Sequence, residues 1–313
     1  MSSTPAPGRV RRWLSSRSAR RTAVAILAVG IFGGVFLVGA WTRACAGGAC
    51  PSIAELENYD PDQASRVYAA DGRLITDFGL QRRTVIPLSE MAPAVVAAFV
   101  AVEDKRFYRH HGVDFIRALG AVKLILMGQR VEGFSTITMQ LAGNLWPESI
   151  DRRERTLTRK LREIKVALEI EANYPKEKIL ELYLNQIELG NRAFGVEAAA
   201  QRYFGKPVRQ LNVAEAAMLA ALPRAPSRYN PRRYPDAAVA RRNLVINLLR
   251  DAGKLSPASA EAWKAYTISL SSHSDYSGVA DYFVEYVRQQ LDARFGADLY
   301  RSGLRVFTTL DLD

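Results

Sequence analysis

The chain of 313 residues has few of the side chains that build metal sites and disulfide frameworks. It contains two cysteines, Cys45 and Cys50, and three histidines, at positions 110, 111 and 273. Two cysteines are too few for a disulfide scaffold or a zinc site. In an oxidising compartment they could close a small loop, and free or acylated thiols are the alternatives. A histidine-rich metal site is disfavoured as well, so any metal ion would need oxygen ligands.

Two segments at the N-terminus lack charge of one or both signs. Residues 1–21 contain six arginines and no acidic residue, and the twenty residues 22–41 contain no charge at all. As a helix, the second segment would span about 30 Å, the thickness of a bilayer's hydrocarbon core. We therefore predict a cytoplasmic basic tail and one transmembrane helix, with the rest of the chain exported. A cleaved signal peptide is the competing interpretation, and Arg43 disfavours it.

Positive charge exceeds negative charge over the whole chain, which has 43 basic and 32 acidic residues. Such an excess predicts an anionic partner. We expect no binding of nucleic acid. We assign the six N-terminal arginines to membrane topology. Removing them still leaves an excess of about five in the exported part, and this remainder requires an explanation of its own.

The chain between the membrane segment and residue 265 divides into a small β element and a long helical region. Residues 42–85 are predicted to form a stalk and a β-hairpin that turns at Asp71-Gly72, with a further short strand at 84–88. From residue 90 to about 265, apolar residues recur with helical spacing. These patterns predict a mainly α protein with a small β-hairpin element.

A carboxylate lies at the edge of an apolar helical face in the segment 98–112, AFVAVEDKRFYRHHG. Glu103 lies four residues after Phe99 and four before Phe107, so aromatic rings should flank it, whereas Asp104 should point to water. Partial desolvation raises the pKa of a carboxyl group and suits a general base. The competing interpretation is a surface residue whose aliphatic stem covers the edge of the core.

The segment 151–172 has the most regular helical pattern in the chain. Its predicted apolar face comprises Leu157, Leu161, Ile164 and Leu168. Arg155, Arg159 and Glu163 follow one another in steps of four on the opposite side. Along a cleft, this stripe would suit a phosphate or pyrophosphate, because arginine presents a planar fork of donors. An ordinary solvated face with a weak ion pair is the alternative.

Between these two segments lies GFSTITMQLAGN, which is unusually polar for a stretch that also holds Ile137, Met139 and Leu141. Ser135 is predicted to cap the helix that follows. A capped helix does not explain why Gln140 and Asn144 recur four residues apart on it.

Several segments, in this order, resemble the peptidoglycan glycosyltransferase domain of class A penicillin-binding proteins and the monofunctional transglycosylases. EDKRFYRHHG fits E-D-x-x-F-x-x-H-x-G, GFSTITMQLAGN resembles G-x-S-T-x-T-x-Q-L-x-K-N, and RKLRE fits R-K-x-x-E. Downstream, KEKILELYLN and YFGK also resemble family segments. The resemblance covers roughly residues 85–250 and the membrane anchor. It implies a lysozyme-like, mainly α glycosyltransferase domain, here at 86–265, beside a bacterial cytoplasmic membrane.

The resemblance also implies a reaction and the residues that perform it. Lipid II would be polymerised into glycan strands with inversion and release of polyprenyl pyrophosphate, and Glu103 would deprotonate the 4-hydroxyl of the acceptor sugar. Glu163 would be a second catalytic acidic residue that organises the donor site, in one version through a divalent cation such as Mg²⁺, although no cofactor is obligatory. The implied substrate-binding residues are Ser135, Gln140, Asn144, Arg155, Arg159 and Lys160. His110 and Gly112 would shape the turn after the base.

The chain departs from the family pattern at two positions. Met139 stands where the family often has glutamine, and Gly143 stands where it has a cation, usually lysine. A lost phosphate-facing cation would weaken transition-state stabilisation. Arg152 or Arg153 is our candidate replacement. Gly143 also keeps open a catalytically weak scaffold that binds lipid II or partner synthases. A lysozyme-like muramidase, which would use two carboxylates, is the other alternative.

The C-terminal segment 266–313 is predicted to be a linker, with a Ser-rich part, a helix at about 280–295 and a strand in GLRVFTTLDLD. In bifunctional relatives a similar segment leads into a transpeptidase domain. The motifs Ser-x-x-Lys and Lys-Thr-Gly do not occur in this sequence. We therefore expect that this chain does not bind penicillin covalently. We also expect that it is a truncated form of a longer protein. Other cell-wall synthesis proteins are further expected partners.

Overall fold

A computed structural model describes residues 17–56, 61–79, 82–128, 133–271 and 281–312. In chain order the helices are α1 (Arg17–Arg43), α2 (Pro93–Glu103), α3 (Phe115–Leu126), α4 (Ile137–Leu145), α5 (Leu157–Asn173), α6 (Lys176–Gln186), α7 (Val196–Phe204), α8 (Val213–Ala221), α9 (Pro235–Asp251), α10 (Pro257–Ala265) and α11 (Asp281–Phe295). The strands are β1 (Ser65–Tyr68), β2 (Leu74–Phe78), β3 (Arg82–Arg83), β4 (Ala193–Phe194) and β5 (Arg305–Phe307). The predicted mainly α fold with a small sheet is therefore confirmed.

The N-terminal helix α1 contains the segment 22–41. Among the described residues, no helix has both the length and the apolar character that a membrane span requires. The transmembrane assignment stays a prediction, and most of the basic tail, residues 1–16, lies outside the described residues. The carboxyl end of α1 contacts α5, where Arg162 Nε donates to the backbone oxygen of Ala44 over 2.8 Å. Of the alternatives for the two cysteines, the structure has the Cys45–Cys50 disulfide.

The predicted hairpin is present, because β1 and β2 pair antiparallel with Ser65 opposite Phe78. On its other side, β1 pairs in parallel with β5 from the C-terminal segment. The further short strand predicted at 84–88 was misplaced. The strand is β3, just before that range, and it pairs in parallel with β4, which the sequence did not suggest.

Two hydrophobic cores and a small cluster of Val113, Met139 and Ala167 hold the described part of the chain together. The larger core forms where α2 and helices α4 to α10 meet, around fully buried Phe99 and Tyr183. Leu56, in the segment predicted as a stalk, belongs to this core and is only 4% exposed. The smaller core lies between the β2-β1-β5 sheet and α11. The part of the predicted linker 266–313 from α11 onward thus packs against the hairpin, whereas Ile268 and Leu270 pack against the larger core. Residues 272–280 lie outside the described residues.

The buried face of α5 differs from the one we predicted. Its buried residues are Glu163, Val166, Ala167 and Ile170. The predicted apolar face is only partly buried, since Ile164 and Leu168 pack against a small hydrophobic cluster while Leu157 is 52% exposed. Glu163 thus lies on the inward face together with apolar residues, where it meets polar side chains of other elements. Helix α5 also begins later than predicted, since the side chain of Thr156 accepts from the backbone N–H of Arg159 and caps it.

Candidate active site

The carboxylate of Glu103 lies at the last residue of α2, in contact with α4 and near α6. Its Oε2 accepts a hydrogen bond of 2.7 Å from Nε2 of Gln140 on α4. The hydroxyl of Tyr183 on α6 donates to the other end of that amide, Oε1 of Gln140, over 3.4 Å. We call Glu103, Gln140 and Tyr183 the base cluster. Its geometry fixes which end of the amide faces the carboxylate.

Burial raises the pKa of Glu103, as the sequence predicted. Several smaller influences oppose burial: the hydrogen bond from Gln140 and the charges of Arg241, Arg152 and Arg117 lower the pKa. Arg117 also donates from Nη1 to the backbone oxygen of Glu103 over 3.0 Å. The result is a carboxyl group that holds its proton more tightly than an exposed glutamate does but is surrounded by cations, which suits exchange of a proton with a substrate.

Asp104 does not point to water as predicted: it is buried, with 1% exposure. Its carboxylate accepts from Nε2 of His110 at 2.9 Å and from the backbone N–H of Ile137 at 3.1 Å. The prediction, which assumed that the helix continues, failed because α2 ends at Glu103 and the backbone of Asp104 is not helical, with φ −152° and ψ 74°. The carboxylate therefore fastens the end of α2 to the start of α4, and His110 belongs to the turn, as expected.

The turn after the base comes close to α5 at Gly112. Its φ is +78°, and a Cβ there would lie 2.9 Å from the backbone oxygen of Ala167. Only glycine fits both conditions. The hydroxyl of Thr136 donates to the backbone oxygen of Gly112 over 2.6 Å. The Oγ1 of Thr136 also accepts from the backbone N–H of Met139. Thr136, not Ser135 as predicted, is therefore the cap of α4.

Ser135 instead lies beside the inward face of α5. Lys160 Nζ donates to its Oγ over 2.6 Å and to Oε2 of Glu163 over 2.8 Å. Arg159 forms an ion pair with the other oxygen of Glu163, which is 3% exposed. Desolvation lowers the pKa of Lys160, and Glu163 opposes this effect. We call Ser135, Arg159, Lys160 and Glu163 the cationic cluster, because two cations share one carboxylate.

Two predicted substrate-binding residues lie apart from the cationic cluster. Arg155 precedes α5 and is exposed. The continuous helical stripe that we predicted for Arg155, Arg159 and Glu163 is therefore not formed. Asn144, at the end of α4, accepts from Nη1 of Arg152 over 2.8 Å.

The space beside Gly143 is filled by Arg152. A Cβ at Gly143 would lie 2.8 Å from Cδ of Arg152 and 2.9 Å from its Cγ. Arg153, the other proposed replacement for the missing cation, points elsewhere: its side chain is 92% exposed and pairs with Asp151. The structure thus separates the two candidates, and only Arg152 lies against the position that lacks the cation.

Sequence reasoning assigned no site role to Tyr183, Arg117 or Arg241, which all lie near Glu103. The signal for Tyr183 was its place in the apolar pattern of α6, where a buried hydroxyl requires a partner. The two arginines gave no local signal, because they come from α3 and α9 and approach the base only through the tertiary fold.

The donor set beside Glu163 does not favour a divalent cation. Both carboxylate oxygens are engaged by Arg159 and Lys160, whose charges repel a metal ion. Within the described part of the chain, no three His, Cys, Asp or Glu side chains lie together as metal ligands. We therefore assign no catalytic step to a metal.

Comparison with known proteins identifies the family. A family model described as "Transglycosylase" matches residues 71–250. Penicillin-binding protein 1A of Aquifex aeolicus (strain VF5) is 43% identical over 259 residues, which are 82% of this chain and 35% of the relative. Penicillin-binding protein 1A of Escherichia coli (strain K12) is 42% identical over 262 residues, 83% of this chain and 30% of the relative. The chain belongs to the transglycosylase family.

A crystal structure of penicillin-binding protein 1A from Haemophilus influenzae is 30% identical, with a TM-score of 0.47 over 81% of this chain and 28% of the other. This transglycosylase chain spans about a third of the length of the two relatives named above. Its mainly helical structure with a small sheet is consistent with a lysozyme-like transglycosylase fold. Both the base cluster and the cationic cluster lie inside the matched residues.

Proposed function

We propose that this transglycosylase polymerises lipid II into glycan strands, with Glu103 as the general base and polyprenyl pyrophosphate as the leaving group. The observation that carries the proposal is the presence, in one domain, of a half-buried carboxylate that accepts a hydrogen bond from the Gln140 amide and of a separate cluster of cations on α5. A glycosyl transfer of this kind needs a group that takes a proton from the acceptor and cations that stabilise the departing diphosphate.

The base cluster supports the acceptor half of this reaction. Burial raises the pKa of Glu103, so its carboxylate is a stronger base than an exposed one. The amide of Gln140 leaves one carboxylate oxygen, Oε1, without a bond from that amide and able to accept the proton of the 4-hydroxyl. As the hydroxyl loses its proton, its oxygen attacks the anomeric carbon of the growing chain, whose configuration inverts.

The cationic cluster supports the donor half. The diphosphate carries its own negative charge, so its departure requires cations rather than a strong acid. Arg159 and Lys160 are held by Glu163, which orients them before substrate arrives. In this proposal Ser135 keeps Lys160 in place through its hydroxyl, and Arg155 meets the lipid-linked phosphate from its exposed position.

An apolar surface on α3 supports a lipid-linked substrate at a membrane. Phe115, Ile116 and Leu119 are each at least 64% exposed, and Met127 just beyond the helix is 60% exposed. Helix α3 follows directly after the base turn, and large exposed apolar patches mark membrane or partner contacts. The predicted location, on the outer side of a bacterial cytoplasmic membrane behind helix α1, fits this surface.

The muramidase alternative is disfavoured by the state of the second carboxylate. A glycoside hydrolase uses two carboxyl groups that flank the scissile bond, one of which activates water or attacks the sugar. Here both oxygens of Glu163 are occupied by Arg159 and Lys160. A carboxylate so engaged is a poor base and a poor nucleophile.

Incubation of the detergent-solubilised protein with labelled lipid II tests the proposal. We expect glycan polymer from the wild type and a loss of roughly 10²- to 10⁴-fold in Glu103→Gln, the usual contribution of a general base. Glu177→Gln, which changes an exposed glutamate at the start of α6, is the matched control and should polymerise normally. Shortening of preformed glycan would instead establish a muramidase, and binding without turnover a scaffold.

A further inference from the structure

Gly143 is a buried glycine in the last turn of α4, and inside a helix glycine costs about 1 kcal/mol relative to alanine. It has a specific structural reason. The methylene groups of Arg152 lie across it, so closely that a single Cβ would overlap them. Glycine therefore creates a groove on α4 that holds the arginine stem.

The exposed Arg152 guanidinium lies beside the end of α4, next to Gly143. Its Nη1 donates to Asn144, one helical residue beyond the groove. Its charge acts on both sides: it lowers the pKa of Glu103 against the larger, raising effect of burial, and it adds to burial in lowering the pKa of Lys160. The geometry that agrees with these influences is the contact of Arg152 with α4, the helix that also carries Gln140 of the base cluster.

Arg152 also differs from the neighbouring cations in its partners. Arg159, Lys160 and Arg153 each pair with a carboxylate. Within the described part of the chain, the only polar partner of Arg152 is the neutral amide of Asn144. Its charge is thus not neutralised, and it is the cation of this group with the most to gain from an anionic ligand.

We propose that Arg152 is a substrate-binding cation that contacts the diphosphate of the donor, and that Gly143 exists to make room for it. The inference rests on the proposed function and names one further residue of that site. The planar guanidinium can bind two phosphate oxygens at once. Position 143 and residue 152 then act as one unit, in which a small residue and a long cation are required together.

A double-mutant cycle tests the pairing, with initial rates of polymer formation and lipid II binding in detergent measured for each variant. Arg152→Ala should lower kcat by roughly 10- to 100-fold, because charge on the leaving diphosphate grows in the transition state. Gly143→Ala should displace Arg152 and also lower the rate, and the double variant should be no worse than Arg152→Ala. Such non-additivity is expected only of residues that act together.

A charge exchange makes the test sharper. Gly143→Lys alone should lower the rate, because two cations then compete for one space. Gly143→Lys combined with Arg152→Ala should be more active than Arg152→Ala alone. Arg153→Ala, which removes an exposed arginine paired with Asp151, is the matched control and should leave the rate unchanged.

The two proposals can fail separately. Normal rates in Arg152→Ala, or additive losses in the double variant, would overturn the role of Arg152 while leaving the polymerase intact. If the wild type forms no polymer, the proposed function fails, and the role of Arg152 is then tested by lipid II binding alone. Binding weakened about tenfold or more in Arg152→Ala then supports the phosphate contact, and equal binding removes it.

Discussion

The amide of Gln140 donates to Oε2 of Glu103 while its own oxygen accepts from the hydroxyl of Tyr183. The tyrosine is fully buried, so its proton is directed at the amide and not exchanged with water. Burial raises its pKa well above the usual value of 10.0, which keeps the hydroxyl protonated. A protonated tyrosine thus fixes the amide, and the amide fixes the carboxylate. Two helices, α4 through Gln140 and α6 through Tyr183, thus orient the carboxylate of Glu103.

Removal of the amide should weaken the base in a pH-dependent way. In Gln140→Leu, Glu103 loses a hydrogen bond that stabilises its charged form, so its pKa rises further. The acidic limb of the pH–rate profile should move to higher pH, with a loss of roughly tenfold or more at pH 7 that shrinks at alkaline pH. Polymerisation rates between pH 5 and 9 measure the shift. The exposed Gln210→Leu is the control, and parallel profiles for both variants would contradict the assignment.

The raised pKa of Glu103 also predicts how stability depends on pH. In the folded state this carboxyl binds its proton more tightly than in the unfolded state, so ionisation destabilises the fold as pH rises past the unfolded-state pKa. Glu103→Gln should therefore raise Tm at pH 8 and change it less at pH 4, where the native group is protonated. Thermal unfolding at both pH values checks this. If Glu103→Gln lowered Tm equally at pH 4 and pH 8, ionisation of Glu103 would not destabilise the fold.

Asp104 is expected to be far more important for stability than its neighbour. Asp104→Ala removes the acceptor of His110 and of the first N–H of α4, and each buried donor left without an acceptor costs about 1–3 kcal/mol. Urea unfolding should detect the full loss. Asp251→Ala breaks an exposed ion pair with Arg250 and should cost less than about 1 kcal/mol. Similar losses in the two variants would contradict the buried role of Asp104.

Local patterns in the sequence predicted the elements that depend on neighbouring residues. The hairpin at Asp71-Gly72, the helix that carries Gln140 and the desolvated position of Glu103 all follow from spacing over a few residues. The ordered family motifs also identified the residues of the cationic cluster on α5, because Arg159, Lys160 and Glu163 are adjacent in one motif.

Features set by the tertiary fold could not be predicted in this way. The hairpin is completed by β5, more than 200 residues away, through pairs such as Arg66 with Arg305. The inward face of α5 depends on what lies opposite it, so the pattern did not show that Glu163 faces inward while the predicted apolar face is only partly buried. In the sequence, Gly143 only indicates that a cation is missing. The fold alone shows that the side chain of Arg152 occupies the space beside Gly143.

Adjacent residues at the start of α4 should separate stability from substrate binding. Thr136 caps the helix and donates to Gly112, so Thr136→Val should lower the free energy of unfolding by about 1–2 kcal/mol. Ser135 instead accepts from Lys160, so Ser135→Ala should change stability by less than about 0.5 kcal/mol. Loss of one hydrogen bond of about 1 kcal/mol should raise the KM for lipid II roughly fivefold in Ser135→Ala. Urea unfolding and steady-state kinetics on both variants measure the two effects. The reverse pattern, with Ser135→Ala the less stable variant, would restore Ser135 as the cap and remove it from the donor site.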